Sequence, residues 1–278
     1  ADAAAHAAEG KNLMTTPITT GTVQPRDSIS TAIKDAAASG RPAVVGFMTA
    51  GFPDRAHFTQ NLRAIATEAD VVEIGVPFSD PMADGATIQR ASFASLQGGF
   101  TLRWLLDELE AMQPRPQAPV LLMSYLNPLL AFGLERLPET ARKAGVSGFI
   151  IPDLPYEESA DMRAALDRVG IALVQMVTPV TPDARLKMLC EASQGFVYAV
   201  TMTGTTGKSV AVPDEVLDYM DRVKSMSPVP VCAGFGIRTA EQVARMQGHV
   251  DGVVVGSALV EVLERGEDPA QFLRRLKS

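Results

Sequence analysis

The chain has 278 residues, 46% hydrophobic and 21% charged, with a formal net charge of −7. That supplies one large core and matches the usual length of a single α/β barrel. The acidic balance argues against nucleic acid or an anionic membrane as the main partner, and no apolar run reaches the length of a membrane span. Two cysteines (Cys190, Cys232) and three histidines (His6, His57, His249) show no metal-ligand spacing. Buried free thiols in a reducing, cytoplasmic setting are expected, and no metal site.

Residues 1–27 are rich in Ala, Thr and Gly and lack the apolar segment of a secretory signal. They read as a tail, with Met14 a candidate start and residues 1–13 candidate additions. Residues 28–278 then read as one domain. Ser28–Gly40 has the pattern of a helix that caps the floor of the sheet. Eight short apolar strands follow: AVVGFMTAG from Ala43, VVEIGVP from Val71, PVLLMSY from Pro119, GFIIPD from Gly148, ALVQMVTP from Ala172, GFVYAVTMTG from Gly195, PVCAGFG from Pro230 and GVVVGSA from Gly252. Amphipathic stretches lie between them, at 54–69, 101–112, 136–145, 159–170, 183–193, 214–226 and 239–249, with a last one at 268–278. Gly145 and Gly170 stand where a left-handed residue ends a helix.

Continuously apolar strands alternating with helices belong to a covered parallel sheet, and eight such units predict a (β/α)8 barrel. A doubly wound open sheet uses the same units and is the alternative. Ser79–Gly99 is longer than a minimal connection and is expected to fold over the barrel mouth.

In barrels of this kind the chemistry sits at the C-terminal ends of the strands. Those ends carry Phe47, Thr49 and Gly51, then Glu73 with Asp80 and Asp84 in the following loop, then Tyr125 and Asn127, then Asp153. Later come Thr203 with the loop Gly204–Ser209, Gly234–Gly236, and Gly256–Ala258. Gly-rich turns after the last two strands suit a phosphate, because backbone N–H groups can approach its oxygens and a helix N-terminus adds positive potential. Lys208 and Arg238 are near in sequence. Glu73 lies in the middle of an apolar strand, where a carboxylate is costly unless paired or functional. Pairing with Arg90 is the structural reading. The functional one is that burial raises its pKa until it can give and take a proton near neutrality. Asp84, eleven positions on, can return over the mouth to the same ligand, whereas Asp80 reads as a loop brace or surface contact.

The stretch EIGVPFSDPMADGATIQRA (Glu73 to Ala91) closely resembles the signature of the tryptophan synthase α subunit family. FMTAGFPD (from Phe47), LLMSYLNPLLAFG (from Leu121), IIPDLPYEES (from Ile150), TMTGTTG (from Thr201), AGFGIRTAEQV (from Ala233) and VVGSALV (from Val254) agree with it. The resemblance spans about residues 28–278. Ala86 replaces the family's usual proline, and Phe52 and Ala199 also depart from it. The resemblance implies retro-aldol cleavage of indole-3-glycerol phosphate to indole and glyceraldehyde 3-phosphate. Glu73 would be the general acid/base and Asp84 the acceptor for the indole N–H. Phe47 and Tyr125 would pack beside the indole. Gly207, Gly236, Gly256 and Ser257 would hold the phosphate, and Thr206 would close a lid onto Asp84. It implies a β subunit partner in an α2β2 complex, contacted through Pro77, Asp80 and Asn127, with pyridoxal phosphate on the partner and no cofactor on this chain. A free-standing lyase with the same site, another phosphosugar barrel enzyme and a non-catalytic ligand-binding barrel are the rival readings.

Overall fold

A computed structural model describes residues 24–201, 212–234 and 236–278. The tail through residue 23 and most of the loop holding Thr206 and Gly207 lie outside the described residues. The chain order is α1 (Pro25–Ala38), β1 (Ala43–Thr49), α2 (Phe58–Ala66), β2 (Val71–Gly75), α3 (Ala86–Gln97), α4 (Leu102–Ala111), β3 (Val120–Met123), α5 (Leu126–Phe132), α6 (Leu137–Lys143) and β4 (Val146–Ile150). After a 3-10 turn at Tyr156–Glu158 come α7 (Ala160–Arg168), β5 (Ala172–Val177), α8 (Asp183–Ala192), β6 (Val197–Val200), α9 (Asp214–Met226), β7 (Val231–Gly234), α10 (Ala240–Met246), β8 (Gly252–Val255), α11 (Ser257–Glu264) and α12 (Pro269–Leu276).

All eight strands pair in parallel with their sequence neighbours, and β8 pairs with β1 to close the barrel. The closed ring excludes the open-sheet alternative. Every residue of β1 and β2 is buried. Alternation along a strand sends Ala43 and Val45 of β1 and Val71 of β2 into the barrel with Leu121, Ile150, Val174 and Phe196. Val44, Met48, Val72 and Ile74 pack instead under the helices, with Phe58, Leu62 and Ile65 of α2. Two cores on opposite faces of one strand explain why the strands read as unbroken apolar runs.

The helix expected at Ser28–Gly40 begins three residues earlier, at Pro25, and closes the barrel floor. Ile29 and Ile33 are fully buried in the interior core. The Ile29 side chain sits about 3.1–3.2 Å from where a Cβ on Gly148 or Gly195 would stand, so those glycines make room for it. Ser30 Oγ donates to the Gly195 carbonyl at 2.6 Å. At the same end Asp70 accepts from both terminal nitrogens of Arg41, each at 2.7 Å, and from the Val44 N–H at 2.7 Å, which fixes the start of β1. Gly145 and Gly170 have φ of 79° and 72°, as their helix-ending role requires.

Three helices were not legible as such in the sequence. The stretch after β2 is a loop only to Gly85 and then becomes α3. That helix buries Ala91, Ser92 and Ser95, small residues that give no apolar periodicity, and Ser95 Oγ donates to the Ala50 carbonyl at 2.5 Å. Helix α5 begins directly after β3, and α11 is buried over most of its surface, so its run reads like more strand.

The floor plug yields a stability expectation. Ile29→Ala leaves a cavity between rigid strand ends and should cost about 2–5 kcal/mol in urea unfolding. A loss below about 1 kcal/mol would mean that α1 is not an integral part of the barrel core.

Candidate active site

Glu73 is the central residue of β2, in register with Phe47 of β1 and Leu121 of β3. Two residues from inward-facing Val71, it points into the barrel. It is fully buried, and neither carboxylate oxygen has a hydrogen-bond partner among the described residues. Arg90 does not supply one, because its guanidinium is bound to Glu264 at 2.9 and 2.8 Å. Burial, and secondarily the nearby Asp84 charge, raise the Glu73 pKa from 4.5 to about 8. The group therefore carries its proton at neutral pH.

Asp84 reaches the same region from the loop before α3. Burial raises its pKa too, but the Tyr125 hydroxyl beside it opposes the shift. That hydroxyl accepts the Ala83 N–H at 2.8 Å, anchoring the loop over β3. The Tyr125 ring lies 5.3 Å from that of Phe78. Phe47 covers Gly75 so closely that a Cβ there would stand 2.5 Å from the ring, so β2 needs glycine at this point. Phe47, Gly75, Asp84, Ile88 and Tyr125 together line a small cavity. The mouth thus brings Glu73, Asp84, Phe47 and Tyr125 together.

Two more polar groups face inward: Thr49, expected at the end of the first strand, and Tyr198, which was given no role from the sequence. The Thr49 hydroxyl is buried and unpartnered among the described residues. Tyr198 of β6 stands in the interior, its ring against Gly234, and burial with the Glu73 charge pushes its pKa far up. A tyrosine inside an apolar strand was the same kind of signal as the glutamate.

On the opposite side, Gly236 follows β7 with φ of 73°, and nothing stands within 4 Å of where its Cβ would be. Gly256 caps α11 and Ser257 is its first residue. The first N–H groups of a helix have no intrahelical acceptor, so this end can hold an anion. Arg238 turns away to bind Glu261 at 2.8 and 2.9 Å. Asp153 is used structurally: its Oδ1 accepts the Leu126 N–H at 2.9 Å and ties the end of β4 to α5. Of the three residues expected at a partner surface, Asp80 and Asn127 are exposed, whereas Pro77 is buried. The expected roles of Thr206, Gly207 and Lys208 fall outside the described residues. Cys190 and Cys232 are buried free thiols.

A carboxyl that binds its proton more tightly folded (about 8) than unfolded (4.5) contributes stability that is present below pH 4.5 and lost as pH rises through 8. Glu73→Gln keeps the shape and removes the titration. It should match the native chain in stability near pH 4.5 and exceed it by about 3–5 kcal/mol at pH 8 and above. Urea unfolding across that range checks this, and identical pH slopes for both proteins would show that Glu73 is not held neutral.

Known proteins share the sequence and the fold of this chain. The family model described as tryptophan synthase alpha chain matches residues 33–278. The tryptophan synthase alpha chain of Nitratidesulfovibrio vulgaris is 44% identical over 243 residues, covering 87% of this chain and 95% of the relative. A solved tryptophan synthase from Mycobacterium tuberculosis superposes with a TM-score of 0.81 at 32% identity, over 90% of this chain and 96% of that one. A tryptophan synthase complex from Pyrococcus furiosus gives 0.77 at 32% identity, over 86% and 97%. With a family model over most of its length and a relative this similar, the chain belongs to the tryptophan synthase alpha chain family.

Proposed function

We propose that this chain cleaves indole-3-glycerol phosphate to indole and glyceraldehyde 3-phosphate, with Glu73 and Asp84 as its catalytic pair. The observation that carries the reading is the fully buried, unpartnered Glu73 carboxyl beside a second, less buried carboxylate at the barrel mouth. Protonated Glu73 delivers its proton to C3 of the indole ring, and positive charge develops at the ring nitrogen. Asp84, ionised, accepts the N–H hydrogen bond and stabilises that charge. The bond from C3 to the glycerol chain then breaks, and its electrons return to the ring and restore the indole. The adjacent hydroxyl gives up its proton, directly or through water, to the Glu73 carboxylate and becomes the aldehyde carbonyl. Proton and charge balance, and the enzyme returns to its starting state.

Phe47 and Tyr125 flank the indole, and Gly207, Gly236, Gly256 and Ser257 hold the phosphate with main-chain N–H groups. The chain works with a β subunit in an α2β2 complex in the cytoplasm. Asp80, Asn127 and the exposed apolar Met82 and Leu130 form part of its contact face, around the mouth from which indole leaves. Pyridoxal phosphate belongs to that partner. Among the described residues no helix is long and apolar enough to cross a membrane.

Glu73→Gln should bind a non-cleavable substrate analogue normally yet lose cleavage by about 10²- to 10⁴-fold or more, since one group serves both proton steps. Asp84→Asn should be severely impaired with measurable residual turnover. Single-turnover indole release reads both, and near-normal cleavage by Glu73→Gln would return that residue to a structural role.

The pH profile is a separate test. Cleavage needs Glu73 protonated and Asp84 ionised, so single-turnover rates should fall as pH rises through about 8. An acid limb should mark protonation of Asp84. A rate that climbs steadily through pH 9 would contradict the assignment of Glu73 as the acid.

A further inference from the structure

A second cavity opens where the β4–β5 ladder stops. Pairing between these strands ends at Ile150 and Val174, whereas β5 continues beside β6 as far as Val177. The splayed strand ends leave a space of about 330 Å³ between the segment after β4 and helix α8. Leu173, Leu189 and the Tyr156 ring supply apolar wall, and Asp153, Arg185 and Gln175 supply polar groups.

Gln175 is only 7% exposed. Its backbone N–H is bound to Ser193 Oγ at 2.9 Å, but its side-chain amide makes no hydrogen bond among the described residues. The amide lines the cavity and is not among the fully enclosed unpartnered groups, so it opens onto that space, where water or a ligand can meet it. The charges around it are already engaged. Arg185 holds Glu157 at 2.6 and 3.1 Å, and that contact keeps the Glu157 pKa down at about 2. Asp153 Oδ1 takes the Leu126 N–H. The group left over is neutral and planar, with one acceptor oxygen and two N–H donors.

We propose that this cavity is a binding site for a small uncharged molecule with a flat apolar body and a planar amide-type edge, an N–H beside a C=O. That edge pairs with the Gln175 amide in two hydrogen bonds, donor to acceptor in both directions. The body lies between Leu173, Leu189 and Tyr156. An anion would have to displace Glu157 from Arg185 and would face the Asp153 carboxylate, and a ligand without the edge would leave the Gln175 amide to water. The site is separate from the Glu73–Asp84 mouth, and its occupancy does not depend on the reaction assigned there.

Calorimetric titration of the full chain with benzamide tests this. Benzamide should bind saturably. N,N-dimethylbenzamide, which keeps the ring and carbonyl but has no N–H, should bind at least tenfold more weakly. Gln175→Leu should weaken benzamide binding at least tenfold, and Leu189→Trp, which fills the space, should abolish it. Unchanged basal indole release by both variants would show that they are folded. Should Gln175→Leu fail to fold, the two benzamides on the native chain and Leu189→Trp carry the test. No saturable binding would mean that the cavity holds only water, and affinity untouched by the lost N–H or by Leu189→Trp would place benzamide elsewhere. Each of these results overturns the proposal.

Discussion

The burial of Glu73 without a counter-charge is the constraint around which the rest of this fold is arranged. A carboxylate stripped of water and given no hydrogen bond is among the most costly groups a core can hold, and the outlet available to it is to keep its proton. That outlet works only if the residue cannot swing toward solvent or a cation. Strand β2 prevents this, since it is paired along its length with β1 on one side and β3 on the other. The floor below is closed by Ile29 and Ile33, so water has no route from that end. A glutamate on a loop would relax, ionise and lose the property that makes it useful.

The second carboxylate shows the same logic run the other way. Asp84 sits on a loop that the Tyr125 hydroxyl anchors through the Ala83 N–H, so it is held near Glu73 without being sealed in with it. Its charge adds to the burial that keeps Glu73 protonated, while Tyr125 offsets part of its own desolvation. Burial thus pushes both carboxyl groups upward but in unlike settings, Glu73 with no hydrogen bond and Asp84 with the Tyr125 hydroxyl opposing the rise, and unlike settings are what separate acid and electrostatic roles. Strand and loop are complementary here: the strand isolates, and the loop positions.

Much of this was legible in the sequence because the physics left local marks. The eight strands announced themselves as short apolar runs bounded by glycine, proline or polar residues, and Glu73 stood out as the wrong residue type in one of them. What stayed hidden had no local mark. Helix α3 buries Ala91, Ser92 and Ser95 against β1, so close packing, not hydrophobicity, determines that face. Helix α11 buries Ala258, Leu259, Val260, Val262 and Leu263 and leaves only the narrow polar stripe of Ser257, Glu261 and Glu264, so its apolar run reads like strand. Arg90 read as a structural partner for Glu73 and Arg238 as merely near the phosphate turns in sequence, but each is held by a glutamate on α11, 174 and 23 positions away. Asp153 looked like a site acid and proved to be a tie to α5. Such pairings are set by the closed ring, and sequence spacing carries no trace of them.

Closure of the ring also sets the geometry of the ligand. Glu73 on β2 and Gly256 after β8 are far apart along the chain, yet β8 neighbours β1, which neighbours β2. Two strand spacings separate them, roughly 10 Å across the mouth. In an open sheet with β8 at the far edge that distance would be several times greater, and no small substrate could touch both. On the proposed reading, the barrel would suit a molecule whose anionic end lies only a few bonds from the carbon that takes the proton. A three-carbon phosphate ester attached to an aromatic ring has that shape: in the proposed reading its phosphate would lie against the ends of β7 and β8, and its ring between Phe47 and Tyr125 with the nitrogen toward Asp84. The acid strand and the glycine-rich turns are within reach of one molecule because the last strand of the chain hydrogen-bonds to the first.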